Sequence, residues 1–238
     1  LEQGGPNWTY VRSKVLALYA QDSWKALPNV TISAGLRWEP YIPQRFERDA
    51  FNYFDMDAFM RGEKTKSYLN APAGIFYPGD SQFRAGGNSS NPIDKQWDKL
   101  APRIGVSWDP TKDGKTVVRA AYGIFYETQA GEYFIAVGQG APWAGKAAIQ
   151  NVLFDHPWRN ISGGNPFPFE PNATAPYPPN GVYALAFPGT SPPYVQQWNL
   201  SIQRQIATDW LASVTYMGNQ VTHLYGAREL NPGVFING

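Results

Sequence analysis

The sequence predicts an all-β fold with antiparallel, up-and-down strands, and three observations support this prediction. Six segments alternate between apolar and polar side chains with the period of two that is typical of strands. Short and long connections between these segments alternate strictly along the chain. Aromatic residues make up 15% of the chain and charged residues only 16%, against about 25% charged in an ordinary soluble domain.

Six long strands are predicted, at residues 10–22, 30–41, 100–109, 116–127, 194–206 and 210–220. Their lengths exceed the roughly 5–6 residues of common globular strands and match the roughly 9–11 residues that cross a membrane. The first strand contains the continuous apolar run 15–19, so its faces cannot be assigned from the sequence.

The alternation in the other strands predicts two chemically different faces. One set of side chains is apolar and is expected on the outer face: Ile32, Leu36, Val106, Ile124, Leu200 and Val214. The other set is polar and is expected to point inward: Arg37, Arg103, Arg119, Asn199 and Gln203.

The connections indicate which kind of sheet this is. The links 23–29, 110–115 and 207–209 are short, whereas 42–99 and 128–193 contain 58 and 66 residues. In an up-and-down sheet the short turns then lie at one end and the long loops at the other. Loops beyond about 12–15 residues are uncommon in compact soluble domains. Outer-membrane barrels combine short turns on one side with long loops on the other, so the pattern predicts an outer-membrane type β-barrel segment.

Aromatic residues near the ends of the predicted strands agree with this interpretation, because amphipathic rings prefer the membrane–water interface. The expected aromatic girdle consists of Trp24, Trp38, Trp108, Tyr126, Trp198, Trp210 and Tyr216. The alternative is that these rings close the core of a soluble sandwich.

The second long connection contains a further set of aromatic residues on a proline-rich backbone. They are candidate ligand or subunit contacts: Trp143, Trp158, Phe167, Phe169, Tyr177, Tyr183 and Phe187. The favoured alternative is that they form the small core of the loop itself, because a segment of this length needs apolar burial to become ordered.

Several functional classes are not expected. Cysteine is absent, and the two histidines, His156 and His223, lack partners at metal-ligand spacing. No catalytic constellation is recognisable, so we expect no enzymatic activity, no cofactor and no metal. A net charge of +1 argues against a nucleic-acid partner. The chain has no recognisable signal peptide or plug domain, and it is expected to form a single barrel segment over 1–238.

Three blocks of motifs follow one another along the chain. They are YAQDSWK (19–25) with VTISAGLRWE (30–39), LAPRIGVSWDP (100–110) with GKTVVR (114–119) and YGIFY (122–126), and QWNLSIQR (197–204) with YMGNQ (216–220) and HL (223–224). In combination they resemble successive hairpins of bacterial TonB-dependent outer-membrane receptors, of the Oar-like type with a carboxypeptidase-regulatory domain. The resemblance implies an internal segment of a barrel of about 22 strands.

The expected function is therefore that of a non-enzymatic β-barrel segment of a TonB-dependent receptor or transporter. Its partners would be the remaining barrel strands and outer-membrane lipid. The alternative is a structural subunit at the cell surface, whose copies join through open strand edges into a multichain barrel, tube or filament. A third class, a soluble carbohydrate-binding β-sandwich, requires a single closed core and a monomer.

Overall fold

The structure is a computed structural model. It describes residues 2–4, 10–47, 50–83, 91, 93–127, 141–143, 146–148, 150–160, 164–165, 171–177 and 189–226, with 2–4 and 146–148 described as backbone only. The chain divides into two compact units, each described by itself. The loop unit comprises Leu1–Leu16, Pro40–Trp97 and Gln129–Thr190, and the sheet unit comprises Ala17–Glu39, Asp98–Thr128 and Ser191–Gly238. A single segment over 1–238 stays a prediction.

Twelve strands and one short helix occur in the described parts of the chain. In chain order they are β1 (Glu2–Gly4), β2 (Val11–Arg12), β3 (Leu18–Leu27), β4 (Val30–Trp38), β5 (Arg45–Phe46), β6 (Tyr53–Phe54), α1 (Met56–Met60), β7 (Ile75–Phe76), β8 (Leu100–Trp108), β9 (Thr116–Tyr126), β10 (Lys146–Ala148), β11 (Tyr194–Ala207) and β12 (Trp210–Thr222). None of the described helical segments has the length and apolar character needed to cross a membrane.

The sheet unit is a six-stranded antiparallel sheet with the order β12-β11-β9-β8-β4-β3. Its strands are neighbours in chain order, so the predicted up-and-down topology is confirmed. The three short turns lie at one end of the sheet, and the turn between β8 and β9 bonds to the first turn on one side and to β11 on the other. The amide of Asp109 donates to the carbonyl oxygen of Asn29 at 2.9 Å, and the amide of Gln205 donates to that of Lys115 at 2.8 Å.

The first strand differs from its prediction. Instead of residues 10–22, the strand in the sheet is β3, Leu18–Leu27, and β2 pairs with β5 inside the loop unit. The predicted link 23–29 shortens to the turn Pro28-Asn29, with Leu27 opposite Val30. Pro28 has no N–H to donate to a ladder, which ends the strand there. The earlier boundary was wrong because an apolar run without alternation does not show where a strand begins.

The register shows which side chains share a face, because directly opposite residues in antiparallel strands lie on the same side. Ile32 is opposite Val106, Val106 is opposite Ala120, and Ala120 is opposite Leu200. The pairing places the predicted apolar set on one face, here called the apolar face. The predicted polar set lies on the other, here called the polar face. Trp24 is opposite Ile32, which assigns β3 as well.

The hairpins are staggered along the sheet. Val30, at the tip of the first hairpin, lies in the same cross-strand row as Ile202, whereas the third hairpin has its tip at Ala207, five residues further along β11 (207 − 202). The first and third hairpins are four inter-strand spacings apart. One of these five residues is bulged, between Gln205 and Ala207, so at about 3.4 Å per residue and about 4.8 Å per spacing, turns in one plane require a strand tilt of about 35–40°. Barrel strands tilt by about 35–45°, so the sheet has the stagger of a barrel wall.

One glycine on the apolar face permits a close contact between β11 and β12. Trp198 is directly opposite Gly218, and its indole lies across the glycine. A Cβ at position 218 would stand 2.5 Å from the Trp198 Nε1. The ring therefore occupies the volume that a side chain on the neighbouring strand would otherwise fill.

The loop unit has its own apolar core, contributed by segments far apart in sequence. Ala50, Ala71, Ile75 and Tyr77 from the first long connection pack with Trp143 from the second. The rings of Tyr77 and Trp143 meet edge to face with centroids 5.4 Å apart. A second cluster contains Tyr53, Ala58 and Phe76. The described parts of the two long connections thus pack together rather than forming independent loops.

Asp80 fixes the backbone around this core. Its carboxylate accepts hydrogen bonds from the hydroxyls of Thr65 and Ser67, at 2.5 and 2.9 Å, and from the amide of Tyr77 at 2.9 Å. A carboxylate that accepts several hydrogen bonds is a strong local anchor. Asp80 therefore holds residues 65–67 and residues 77–80 in one arrangement.

Replacing Trp143 by alanine is expected to destabilise the loop unit by about 3–5 kcal/mol, because removing a buried aromatic ring leaves a cavity. Trp143 is 3% exposed. Amide hydrogen exchange at Ile75 and Tyr77 measures the loss. Phe154 is 87% exposed, so Phe154→Ala is the control and should change stability by less than about 0.5 kcal/mol. Equal effects of the two variants would contradict the assigned core.

Replacing Gly218 by alanine is expected to destabilise the sheet by about 1–3 kcal/mol, because the added methyl group forces the Trp198 indole out of its position. Denaturant unfolding and the tryptophan emission of the folded chain report this change. Gly105 is the matched control, since a Cβ there would have no atom closer than 3.8 Å. If Gly218→Ala is as stable as Gly105→Ala, the indole does not cover position 218.

Candidate functional site

The polar face of the sheet contains a shallow groove of about 350 Å³. Its floor is formed by small residues on three adjacent strands: Ser33 and Gly35 on β4, Gly105 on β8, and Ala121 and Gly123 on β9. Gln21, Gln197 and Asn199 line its sides. Small side chains in neighbouring rows lower the surface locally, so the groove results from the register of the strands.

Arg103 is the charged residue at the centre of this groove. It lies directly between Gly35 on β4 and Gly123 on β9, so no side chain flanks it in its own row. Its guanidinium stacks on the Phe125 ring, with 4.6 Å between the guanidinium carbon and the ring centroid. Phe125 also covers Gly123, where a Cβ would stand 3.1 Å from the ring. Stacking on an aromatic face leaves the in-plane N–H donors of an arginine free for a ligand.

The charge on the polar face is positive. Its strand positions include four cationic residues, Lys25, Arg37, Arg103 and Arg119, and no aspartate or glutamate. Arg37 forms an ion pair at 2.7 Å with Glu39, just beyond β4. Arg119 donates to the side-chain oxygen of Gln203 at 2.8 Å. Among the residues that the structure describes, Arg103 and Arg119 have no carboxylate partner, so the face has an excess of positive charge.

Ionised carboxylates lie outside the strands at both ends of the sheet. Hydrogen bonding to the Lys99 ammonium, 3.2 Å away, lowers the pKa of Asp98. Hydrogen bonds from the Thr111 hydroxyl and the Lys115 amide lower the pKa of Asp113 in the turn between β8 and β9. Both groups therefore stay charged at neutral pH.

The apolar face carries all seven residues of the predicted girdle, at two distances from the turns. Trp24, Trp108 and Trp210 lie within three residues of the turn end of their strands. The others are six to ten residues away: Trp38, Tyr126, Trp198 and Tyr216. Two positions differ from the prediction, since Trp198 and Tyr216 are strand interior residues. Trp198 is four residues from Tyr194, where β11 begins as predicted, and Tyr216 is six residues from each end of β12.

Tyr194 is a further aromatic residue on the apolar face, thirteen residues from the turn end of β11 (207 − 194), and it was missed by the sequence reasoning. It pairs with Tyr126, and the ring centroids of the two residues are 5.6 Å apart. The sequence alone contains no signal of this pairing, because Tyr126 lies on a different strand. The charged residues on the apolar face are Asp22, which accepts the Ser23 amide at 2.8 Å, and Arg204, which donates to Thr116.

The aromatic candidates of the second long connection fall into different surroundings. Trp143 is in the loop core, and Tyr177 packs against that core with its hydroxyl 2.8 Å from that of Tyr77. For Trp143 and Tyr177, this arrangement corresponds to the alternative in which the aromatic residues form the core of the loop itself. Trp158 is half-buried in the segment 150–160. The remaining candidates lie outside the described residues: Phe167, Phe169, Tyr183 and Phe187.

Neither a metal centre nor a catalytic cluster emerges from the described part of the chain. No three His, Cys, Asp or Glu side chains in the described ranges are close enough together to hold a metal ion. The Arg103 groove is the feature that sequence reasoning missed. Arg103 was predicted on the polar face, but the glycines that flank it come from other strands and become its neighbours only through the register.

Comparison with known proteins supports a membrane barrel. The family described as outer membrane beta barrel domain matches residues 2–237, which is nearly the whole chain. A search of curated proteins and a search of solved structures each gave no match. The match agrees with the antiparallel sheet, the stagger of its hairpins and the division into apolar and polar faces. The chain therefore belongs to the outer membrane β-barrel domain family of the bacterial outer membrane.

Proposed function

We propose that the chain is a segment of the wall of a TonB-dependent outer-membrane receptor, with its apolar face toward lipid and its polar face toward the barrel interior. The observation that carries this proposal is the division of side chains over six staggered strands. A sheet in a barrel wall needs apolar groups outside and tolerates water-exposed cations inside. The proposed role is structural and transport-related rather than enzymatic.

The positions of the aromatic residues support a membrane orientation. The two sets lie near the turns and six to ten residues further along the strands. At a tilt of about 40°, the second set is about 15–25 Å from the turns along the barrel axis. The apolar band of an outer-membrane barrel is about 25 Å tall and is bordered by aromatic girdles. The seven predicted girdle residues would then lie close to the two interfaces.

The assignment to a TonB-dependent receptor rests on the motifs of the three hairpins. The blocks VTISAGLRWE, LAPRIGVSWDP and QWNLSIQR contain β4, β8 and β11, which are three of the four inner strands of the sheet. In the receptors that they resemble, transport depends on a plug domain and on contact with TonB. Transport would accordingly be a property of a complete receptor to which this segment contributes part of the wall.

The edges of the sheet require partners in either role. β3 and β12 each pair with a single neighbour in the sheet. At β3, the amide of Ser23 is taken by the Asp22 carboxylate at 2.8 Å instead of a further strand. An unsatisfied backbone group away from water costs about 1–3 kcal/mol, so six strands in lipid need additional strands at both edges. We infer that these belong to the remainder of a barrel.

A second candidate function follows from the same open edges. If the added strands come from copies of this chain, β12 of one copy would pair with β3 of the next. A ring or a helical tube results, depending on whether the rotation closes. The chain would then be a structural subunit of a multichain barrel, tube or filament at the cell surface.

The lipid-facing assignment is tested by two consecutive residues of β11. Leu200→Arg is expected to weaken insertion into phosphatidylcholine vesicles by about 2–4 kcal/mol, because it places a cation on the lipid side. Asn199→Arg is the control, because position 199 lies on the polar face, and insertion should be nearly unchanged. Protease protection and the gel mobility of unheated samples measure insertion. Equal insertion by both variants would overturn the assignment of the faces.

The need for edge partners is tested by Ser23→Pro, with Ser23→Ala as the control. Proline removes an N–H that is bonded to the Asp22 side chain, so pairing with an added strand should be lost while the β3–β4 hairpin remains. Native mass with and without detergent is the measurement. Large assemblies without detergent that disappear in Ser23→Pro would support the copy arrangement, and assembly only in lipid or detergent would support the receptor. A 26.5 kDa monomer in detergent-free buffer, with both edges exchanging amides freely, would contradict both candidates.

A further inference from the structure

We propose that the groove around Arg103 binds an acidic sugar, with the guanidinium holding the carboxylate or phosphate and the surrounding amides holding the hydroxyls. This proposal deepens the proposed function and rests on it, since the polar face must border water for a ligand to arrive. The shared chemistry is that of a small, hydroxylated anion.

The positive charge of the Arg103 guanidinium is available to a ligand. Arg103 is exposed, and no carboxylate partner is found for it in the described ranges. Arg37, one strand away, is already paired with Glu39 at 2.7 Å. Arg119 is engaged by Gln203 and lies four cross-strand rows from Arg103, opposite Ser107 (107 − 103). Arg103 is therefore the cation of the groove with free donors, and arginine presents them in a fork that matches carboxylate and phosphate oxygens.

The Arg103 side chain is held in place before a ligand binds. Phe125 fixes one face of the guanidinium at 4.6 Å, and the Arg103 stem passes over Gly123, where a Cβ would stand 3.4 Å from its Cγ. An arginine held in place loses less side-chain entropy on binding than a free one. A Cβ at position 123 would stand 3.1 Å from the Phe125 ring, so a larger side chain there would press on the ring that stacks on Arg103, and the glycine maintains the stacked arrangement.

The groove can also accommodate the uncharged part of an acidic sugar. The groove has space beside Arg103, because the nearest atom to a Cβ built on Gly105 is 3.8 Å away. The surrounding side chains include Gln21, Ser33, Gln197 and Asn199. Amides and hydroxyls both donate and accept hydrogen bonds, as ring hydroxyls require. A fatty acid or other apolar acid would leave these groups unpaired, which disfavours it. The volume of about 350 Å³ is near the lower end for small-molecule sites.

The test uses the 238-residue chain folded in detergent micelles, with glucuronate, glucose 6-phosphate and glucose as probes in calorimetric titrations. Glucuronate or glucose 6-phosphate should bind, and glucose should bind about 10- to 100-fold more weakly, the range expected for a lost charge-assisted contact. Raising the salt concentration should weaken binding of the anions. Comparing the two anions shows whether a carboxylate or a phosphate is preferred.

Two variants separate the groove from a general effect of positive charge. Arg103→Gln should lose the same 10- to 100-fold in affinity, whereas Arg119→Gln, which removes a charge elsewhere on the face, should stay within about two-fold. Gly105→Leu keeps Arg103 but fills the groove, and it should also abolish binding. The proposal is overturned if glucose binds as well as glucuronate, if Arg103→Gln binds normally, or if Gly105→Leu does.

Vesicle insertion is measured on the same preparations, so that failure of the acidic-sugar site can be distinguished from failure of the membrane assignment. Wild-type chain that inserts but binds neither anion overturns the acidic-sugar site and leaves the barrel wall standing. Chain that binds glucuronate in micelles but fails to insert supports the groove and counts against the membrane assignment. Far-UV circular dichroism of each variant identifies any that has lost the sheet, and Arg119→Gln then provides the folded reference.

Discussion

The register of the antiparallel pairing is the constraint on which the sheet unit depends. Ile32, Val106, Ala120 and Leu200 face the same way because they are directly opposite one another. A slip of one residue between two strands would turn every side chain of one strand to the other face. Arginines would then meet the apolar side, so the correct register is strongly favoured.

The polar face contains its own determinants of that register. The hydroxyls of Ser23 and Ser33 are 2.6 Å apart, and Thr215 donates to Ser201 at 3.1 Å. Each contact joins directly opposite residues of a hairpin. Such pairs add a little stability each, but they exist only in one alignment. Together with the short turns, these contacts hold the strands in the register that places the small residues of the groove floor beside the polar residues that line its sides.

The extent to which the sequence predicts this molecule follows the range of the interactions involved. Alternation within a strand is local, so the faces of Arg37, Val106 and Leu200 were predictable. The start of β3 was not, because residues 15–19 are uniformly apolar and their environment is set by tertiary pairing. The neighbours of Arg103 come from strands up to two hairpins apart, and the Trp143 core joins segments separated by whole strands. Neither arrangement leaves a periodic signal in the sequence.

The interleaved construction of the loop unit has a consequence for the order of folding. Tyr77 and Trp143 share a core, yet β8 and β9 lie between them in the chain. A chain that emerges from its N-terminus presents Ala71, Ile75 and Tyr77 well before the ring that covers them. Contacts of such long sequence separation form slowly, and exposed apolar surface invites aggregation in the meantime. The apolar residues of the first long connection are thus exposed to water for an interval before Trp143 can cover them.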